Sequence, residues 1–280
     1  MVGANERQEM KIYTNNYFAL ITGASSGIGK AIAEELCRKN MNLLLVALPD
    51  SGLEKFAEYL ERQYSARIKY FPVDLTELEG PRKVYDFVKS QNITVDTLIN
   101  NAGIGSLGLF EKQEYRNIDD IILLNIRAST LLTRLFVPDF MELPAAYILN
   151  MSSFGAFVPI PFKSVYAASK SYLLFFTEAL RMELKNTNIR ISSMHPSGVP
   201  TNNRLVNDLD KNSYIVRLTT LSSEEIAKEA LKNLYKGKDQ IIPGFFNRLY
   251  FRIGFLLPYG LMLYFLYRIF SRKHKNIVIH

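Results

Sequence analysis

FALITGASSGIGKAIAEEL, Phe18 to Leu36, is the stretch that decides the fold. Phe18 to Ile21 is a short apolar run ending at a glycine turn, the pattern of a buried strand. Ile28, Ala31, Ile32 and Leu36 then recur at helical spacing, with charged Glu35 among them. Between the two lie Gly23, Gly27 and Gly29, a G-x-x-x-G-x-G spacing. Glycine lets a backbone turn tightly and lets a bulky anion approach its N–H groups. Those groups open a helix, where the dipole favours negative charge, so the loop suits a pyrophosphate. Three glycines alone are a weak signal; the strand before and the helix after supply the context that the mechanism needs.

The rest of the chain repeats that alternation. Residues 41–47, Ile68–Val73, Thr97–Ile99, 145–151 and Ile189–Met194 read as further strands. Helices are expected over 51–64, Pro81–Lys89, Ile118–Phe136 and Tyr166–Leu184. A last one is opened by a Ser222–Glu225 capping box and runs to about Tyr235. Long connections between strands predict an α/β fold with a doubly wound parallel sheet (Rossmann fold), in one domain over 1–242. Residues 197–221 break the pattern; they read either as a lid beside the crevice or as a solvated connector.

Composition narrows the function. The chain has 280 residues, 48% hydrophobic and 22% charged, enough for one large core. The single cysteine, Cys37, excludes an internal disulfide, and three scattered histidines make a metal site unexpected. The net charge of +7 is modest and partly local to Arg268, Arg272, Lys273 and Lys275, so no nucleic-acid surface is expected. Residues 1–16 do not resemble a secretory signal.

Tyr166 and Lys170 are four apart at the start of a long helix and share a face. An ammonium beside a phenol favours the phenolate, which predicts a lowered Tyr166 pKa and a group able to exchange protons. Ser153 ends the fifth strand, so both residues are expected at the carboxyl edge of the sheet, where such folds bind ligands.

TGASSGIG (22–29), NNAG (100–103), Asn125, Ser153 and YAASK (166–170), in that order and spacing, resemble the short-chain dehydrogenase/reductase family over about Tyr17 to Ile242. The resemblance implies an NAD(P)-dependent oxidoreductase that interconverts a carbonyl and an alcohol. It implies that Thr22, Gly23, Ser25, Ser26, Gly27, Ile28 and Gly29 hold the pyrophosphate. Asp74 and Leu75 would meet the adenine; Asn101, Ala102 and Gly103 would line the ribose; Val199 and Thr201 would meet the nicotinamide amide. Ser153 would orient the substrate oxygen, Tyr166 would act as acid/base, and Lys170 would bind the nicotinamide ribose. Asn125 would hold a water that completes a proton relay.

Two departures stand out. Pro196 is followed by Ser197 rather than by glycine. After the second strand comes Ala47-Leu48-Pro49, with neither the acid of NAD-preferring relatives nor the arginine of NADP-preferring ones. The absent acid removes repulsion from a 2′-phosphate that Ser25, Ser26 and Lys30 could assist, which favours NADP(H) over NAD(H).

FGAFVPIPF (154–162) suggests a hydrophobic substrate, keto-lipid, 3-oxoacyl or steroid-like, unless it packs against the lid or a second subunit. Residues 243–280 form an apolar, basic tail with a charge-free core, Ile253–Tyr267, of 15 residues. That is short for a spanning helix, which needs about 20. An interfacial helix or hairpin on the cytoplasmic face of a membrane is expected, with dimer or core packing and a true span as alternatives. The family's usual contacts imply a homodimer or homotetramer. The rival function is a dinucleotide-binding scaffold or sensor tethered by this tail.

Overall fold

The structure, a computed structural model, describes residues 17–197, 220–254 and 258–278. Residues 198–219 of the lid-or-connector segment, Val199 and Thr201 among them, lie outside them. Apolar runs bounded by turns become strands: β1 Tyr17–Thr22, β2 Asn42–Ala47, β3 Ile68–Pro72, β4 Thr94–Asn100, β5 Ala146–Met151, β6 Ile189–Met194 and β7 Gln240–Ile241. Among the described residues they form one sheet in the order β3-β2-β1-β4-β5-β6-β7, all neighbours parallel. The order reverses between β1 and β4, so the crevice for a ligand opens there, at the carboxyl ends.

The intervening segments are α1 Gly27–Cys37, α2 Leu53–Gln63, α3 Gly80–Ser90, α4 Tyr115–Met141, α5 Ser164–Glu183 and α6 Ser223–Leu234. Leu43 and Leu45 of β2 pack with α1, α2 and α6 on one face; Leu44 and Val46 pack with α3 and α4 on the other. A strand buried on both sides needs apolar residues at every position, which is why β2 reads as an unbroken run. The Ser222–Glu225 capping box is present, with both reciprocal hydrogen bonds. β7, only two residues long, has no signal of its own and exists because Ser193 and Met194 of β6 offer it an edge.

The expected Ile118–Phe136 helix is longer than its pattern and contains a π turn over Ile122–Ala128. It is the one described helix long and apolar enough to cross a membrane, and its Leu132, Phe136 and Phe140 are instead buried in the core. A buried polar ladder ties it to the sheet: Asn100 Nδ2 donates to Thr133 Oγ1 (3.0 Å) and to Asn150 Oδ1 (2.9 Å). Asn150 Nδ2 donates in turn to Thr177 Oγ1 of α5 (2.9 Å).

Asp96 sits at a bulge of β4, where the register with β1 slips, and its Oδ1 is buried without a hydrogen-bond partner. Burial pushes its carboxyl up to about 7. Between its unfolded value near 4 and 7, the native state holds a proton that the unfolded chain has released, so stability falls as pH rises through that window. Asp96→Asn is therefore expected to raise the melting temperature at pH 8 by at least the roughly 2–4 °C that 1 kcal/mol gives a chain this size, with little gain at pH 4. Equal shifts at both pH values in thermal melts would refute it.

The tail folds as α7 Phe245–Gly254 and α8 Tyr259–Val278. Arg248 pairs with Glu229 of α6 (3.3 Å), and Asn247 is buried, donating to Pro243 O (2.9 Å) and Ser197 Oγ (3.0 Å). The first tail helix is thus docked on the core, the alternative that sequence ranked behind an interfacial helix. Tyr259, Tyr264, Phe265, Tyr267 and Ile269 of α8 are exposed.

Candidate active site

The glycine turn after β1 is shaped by contacts that admit no side chain. Gly23 and Gly27 have φ of 65° and 55°, the left-handed region. A Cβ on Gly29 would lie 2.3 Å from Gly23 O and 2.4 Å from Asn101 Nδ2. The α1 N-terminus carries no acidic residue in its first turn, and Ser26 makes no side-chain cap bond, so its N–H groups are not neutralised by the chain itself. Ile28, partly buried, packs against the core beneath the turn. Ser25 and exposed Ser26 stand at the turn's rim.

Thr22 is buried and holds the turn from below rather than facing the crevice. Its Oγ1 accepts from Asn101 N and Ala102 N, each at 3.0 Å. Asn101 Nδ2 returns the bond to Thr22 O (2.9 Å) and Gly23 O (3.2 Å), so the ends of β1 and β4 are knitted together. Beside them, Asp74 Oδ1 accepts from Thr76 N (2.8 Å) and Thr76 Oγ1 (2.7 Å), fixing the turn after β3, and Leu75 is buried. Arg127 was not singled out by sequence; it donates to Thr76 O (2.9 Å) and Glu77 O, linking this turn to α4.

Asn125 lies in the π turn. Its Nδ2 donates to Ile104 O (2.9 Å) and Ser169 Oγ (3.0 Å), and its Oδ1 accepts from Ile104 N (2.9 Å). Both amide hydrogens are committed to protein, so the side chain staples the loop after β4 to α5. A π turn re-aims one residue out of helical register, which is what this double bond to Ile104 requires. A Cβ on Gly103 would lie 3.1 Å from both Asn125 Oδ1 and Lys170 Nζ, so glycine keeps a gap between them.

Ser153, Tyr166 and Lys170 meet at the carboxyl end of β5. Lys170 is buried, and its Nζ donates to Met151 O (2.8 Å) while standing 5.9 Å from the Tyr166 ring centroid. Burial pushes its ammonium down to about 8. Tyr166 packs under Gly105, and burial pushes its phenol above the usual value, with the Ser153 hydroxyl pulling it partly back. The expected net fall in the Tyr166 pKa is therefore corrected: burial of the phenol sets the direction of the shift. The ammonium is turned to a strand carbonyl, and desolvation dominates both groups. At neutral pH the phenol is protonated and suited to give a proton away.

The 154–162 loop makes ring contacts with the tail. Phe157 packs on Phe251 of α7 and Phe162 on Tyr267 of α8, with centroids 4.5 and 6.0 Å apart. Two of the loop's rings thus meet the tail. Sequence alone had no means of pairing residues so distant. A cavity of about 420 Å³ is lined by residues of the loop after β4, among them Ile104, Gly105 and Leu107.

Residues 17–212 match the short chain dehydrogenase family. The chain is 31% identical to a very-long-chain 3-oxoacyl-CoA reductase of Anas platyrhynchos over 66% of its own length and 60% of that protein's. It is 33% identical to an NADP-dependent 3-hydroxy acid dehydrogenase of Schizosaccharomyces pombe over 80% of this chain and 88% of that one. A crystal structure of a bulky-bulky ketone specific alcohol dehydrogenase from Comamonas testosteroni superposes with a TM-score of 0.73 at 29% identity, covering 87% of this chain and 94% of that one. With the sheet order, the glycine turn and the Ser-Tyr-Lys geometry, these matches place the chain in the short-chain dehydrogenase/reductase family, as an oxidoreductase of C=O and CH–OH groups with NAD(P).

Proposed function

We propose that this enzyme uses NADP(H) to reduce a carbonyl to an alcohol on a hydrophobic substrate, with Tyr166 as the acid. The observation that carries the reading is the convergence of Ser153, Tyr166 and Lys170 at the carboxyl edge, across β4 from the glycine turn. The turn fits a dinucleotide: its glycines leave room that a Cβ would fill, and an open helix N-terminus faces the crevice. Gly23, Gly27 and Gly29 hold the pyrophosphate, with Asp74, Leu75, Asn101, Ala102 and Gly103 along the adenosine. When bound, the nicotinamide supplies the hydride.

The chain's own groups do the rest. Ser153 hydrogen-bonds the substrate oxygen and orients it to the phenol. Tyr166 gives its proton to that oxygen as the carbonyl becomes an alkoxide. Lys170 holds the ribose hydroxyls and its positive charge stabilises the phenolate left behind. Asn125 fixes the loop over Tyr166.

Several features support the finer choices. Buried Ala47 and exposed Leu48 end β2, so no carboxylate stands at the two positions where an acid would oppose a 2′-phosphate. Relatives acting on very-long-chain acyl groups and bulky ketones favour a lipophilic substrate. The exposed aromatic face of α8, followed by a basic run, favours contact with an anionic membrane surface on the cytoplasmic side. Vesicles containing anionic lipid should sediment the protein, and Tyr264→Ser with Phe265→Ser should release it; equal sedimentation would end the membrane reading. Exposed Tyr172, Phe175 and Met182 on α5 and Leu131 on α4 offer an apolar face for a second copy of the chain.

The test of the mechanism is a pH profile. Lys170 is charged below about 8 and neutral above. For ketone reduction, kcat/KM for NADPH should be flat at neutral pH and fall above about 8. Lys170→Arg keeps the charge and should move that alkaline limb upward, whatever its absolute rate. A limb unmoved in the arginine variant would reject the role given to Lys170.

A further inference from the structure

His195 follows β6 and is fully buried. Its Nδ1 lies 3.2 Å from Ser153 O, which can only accept, so Nδ1 carries the proton. Its Nε2, 2.8 Å from Ser193 Oγ, therefore accepts. Burial pushes the imidazole down to about 4, so this tautomer is neutral at physiological pH. The peptide after Ser153 is held as well, since Phe154 N donates to Pro196 O (2.9 Å). The imidazole is packed in turn by Phe157, centroids 4.5 Å apart, and Phe157 is packed by Phe251 at the same separation. Phe251 belongs to α7, which Asn247 and Arg248 fasten to the core. A contiguous line of packed groups thus runs from the tail to the peptide that carries Ser153.

We infer that His195 is a positioning residue for Ser153, and that α7, through Phe251 and Phe157, holds the imidazole against the Ser153 carbonyl. The first tail helix is then part of the catalytic apparatus, whatever the tail does at a membrane. The inference rests on the proposed role of Ser153 in orienting the substrate oxygen. A neutral imidazole suits the task, because it fixes direction without adding a charge beside Lys170.

The experiment measures kcat, KM and NADPH affinity for a water-soluble ketone in five variants of the full chain. His195→Phe keeps an aromatic ring but removes the donor. It is expected to lower kcat by roughly 10- to 100-fold, the scale of a small misplacement of a reacting group, with NADPH affinity within about twofold. His195→Asn places a donor near the Nδ1 position and should recover most of that loss, which simple loss of packing would not permit. Phe251→Ala should lower kcat by about 3- to 10-fold, and add little further in the His195→Phe background, because both act through one contact. A folded, NADPH-binding His195→Phe enzyme with parental kcat would overturn the inference; so would equal loss in the asparagine variant. Fully multiplicative losses in the double variant would remove α7 from it. Ser153→Ala separates the two levels: parental activity there would sink the role of Ser153 itself, whereas an inactive Ser153→Ala beside an unimpaired His195→Phe would sink only this inference.

Discussion

Tyr166→Phe should lower kcat for ketone reduction by roughly 10²- to 10⁴-fold, the range spanned by a positioned general acid, while NADPH still binds within about twofold of parental affinity. The substitution removes one oxygen and leaves the ring that packs under Gly105, so the fold has no reason to change. The effect is expected in kcat rather than in binding, because the proton is needed only as the carbonyl oxygen gains charge. Burial raises the Tyr166 pKa, so in the parental enzyme the proton is present across neutral pH. Reduction should therefore need no titration of the phenol there, whereas alcohol oxidation, which needs the phenolate, should accelerate as pH rises. Stopped-time assays in both directions check this; near-parental reduction by the phenylalanine variant would remove Tyr166 from the mechanism.

Gly29→Ala is expected to have the second large effect, on the cofactor. The added methyl would stand 2.3 Å from Gly23 O and 2.4 Å from Asn101 Nδ2. The first neighbour is backbone, which moves only by opening the turn. The second is the amide that bonds Thr22 O and Gly23 O, so relief there would unfasten β1 from β4. Overpacking of this kind costs about 1–3 kcal/mol. If half of that appears as distortion of the anion-binding N–H groups, NADPH affinity should fall by roughly 2- to 12-fold. Isothermal titration beside a thermal melt separates the two outcomes. A variant with unchanged affinity and unchanged melting temperature would mean that the turn does not cradle the dinucleotide.

What sequence could show here was local. The strand–glycine–helix unit, the unbroken run of β2 and the Ser222 capping box are each written in neighbouring residues, and each is found where expected. The meeting of Ser153, Tyr166 and Lys170 was legible because a parallel sheet brings every strand's carboxyl end to one edge. Features that depend on distant partners were not. The π turn carries Asn125, two of whose bonds go to Ile104, a residue 21 positions away. The direction of the Tyr166 shift depends on how deeply the phenol is enclosed and on where Lys170 points, and the four-residue spacing carried neither. Arg248 pairs with Glu229, a partner 19 positions away that no local pattern marks. His195 read as too isolated to ligate a metal, and its bond to Ser153 O appears only once β5 and β6 are paired.

Transfer of deuterium tests the central claim most directly. NADPH carrying deuterium at nicotinamide C4 is incubated with the protein and a bulky aryl ketone, and the product alcohol is examined by mass spectrometry and NMR. One deuterium on the new carbinol carbon, of a single configuration, with the hydroxyl proton drawn from solvent, is the expected result. A protein that binds NADPH yet leaves the ketone unlabelled, with NADPH and with NADH across a range of hydrophobic ketones, would contradict the account and favour the scaffold or sensor.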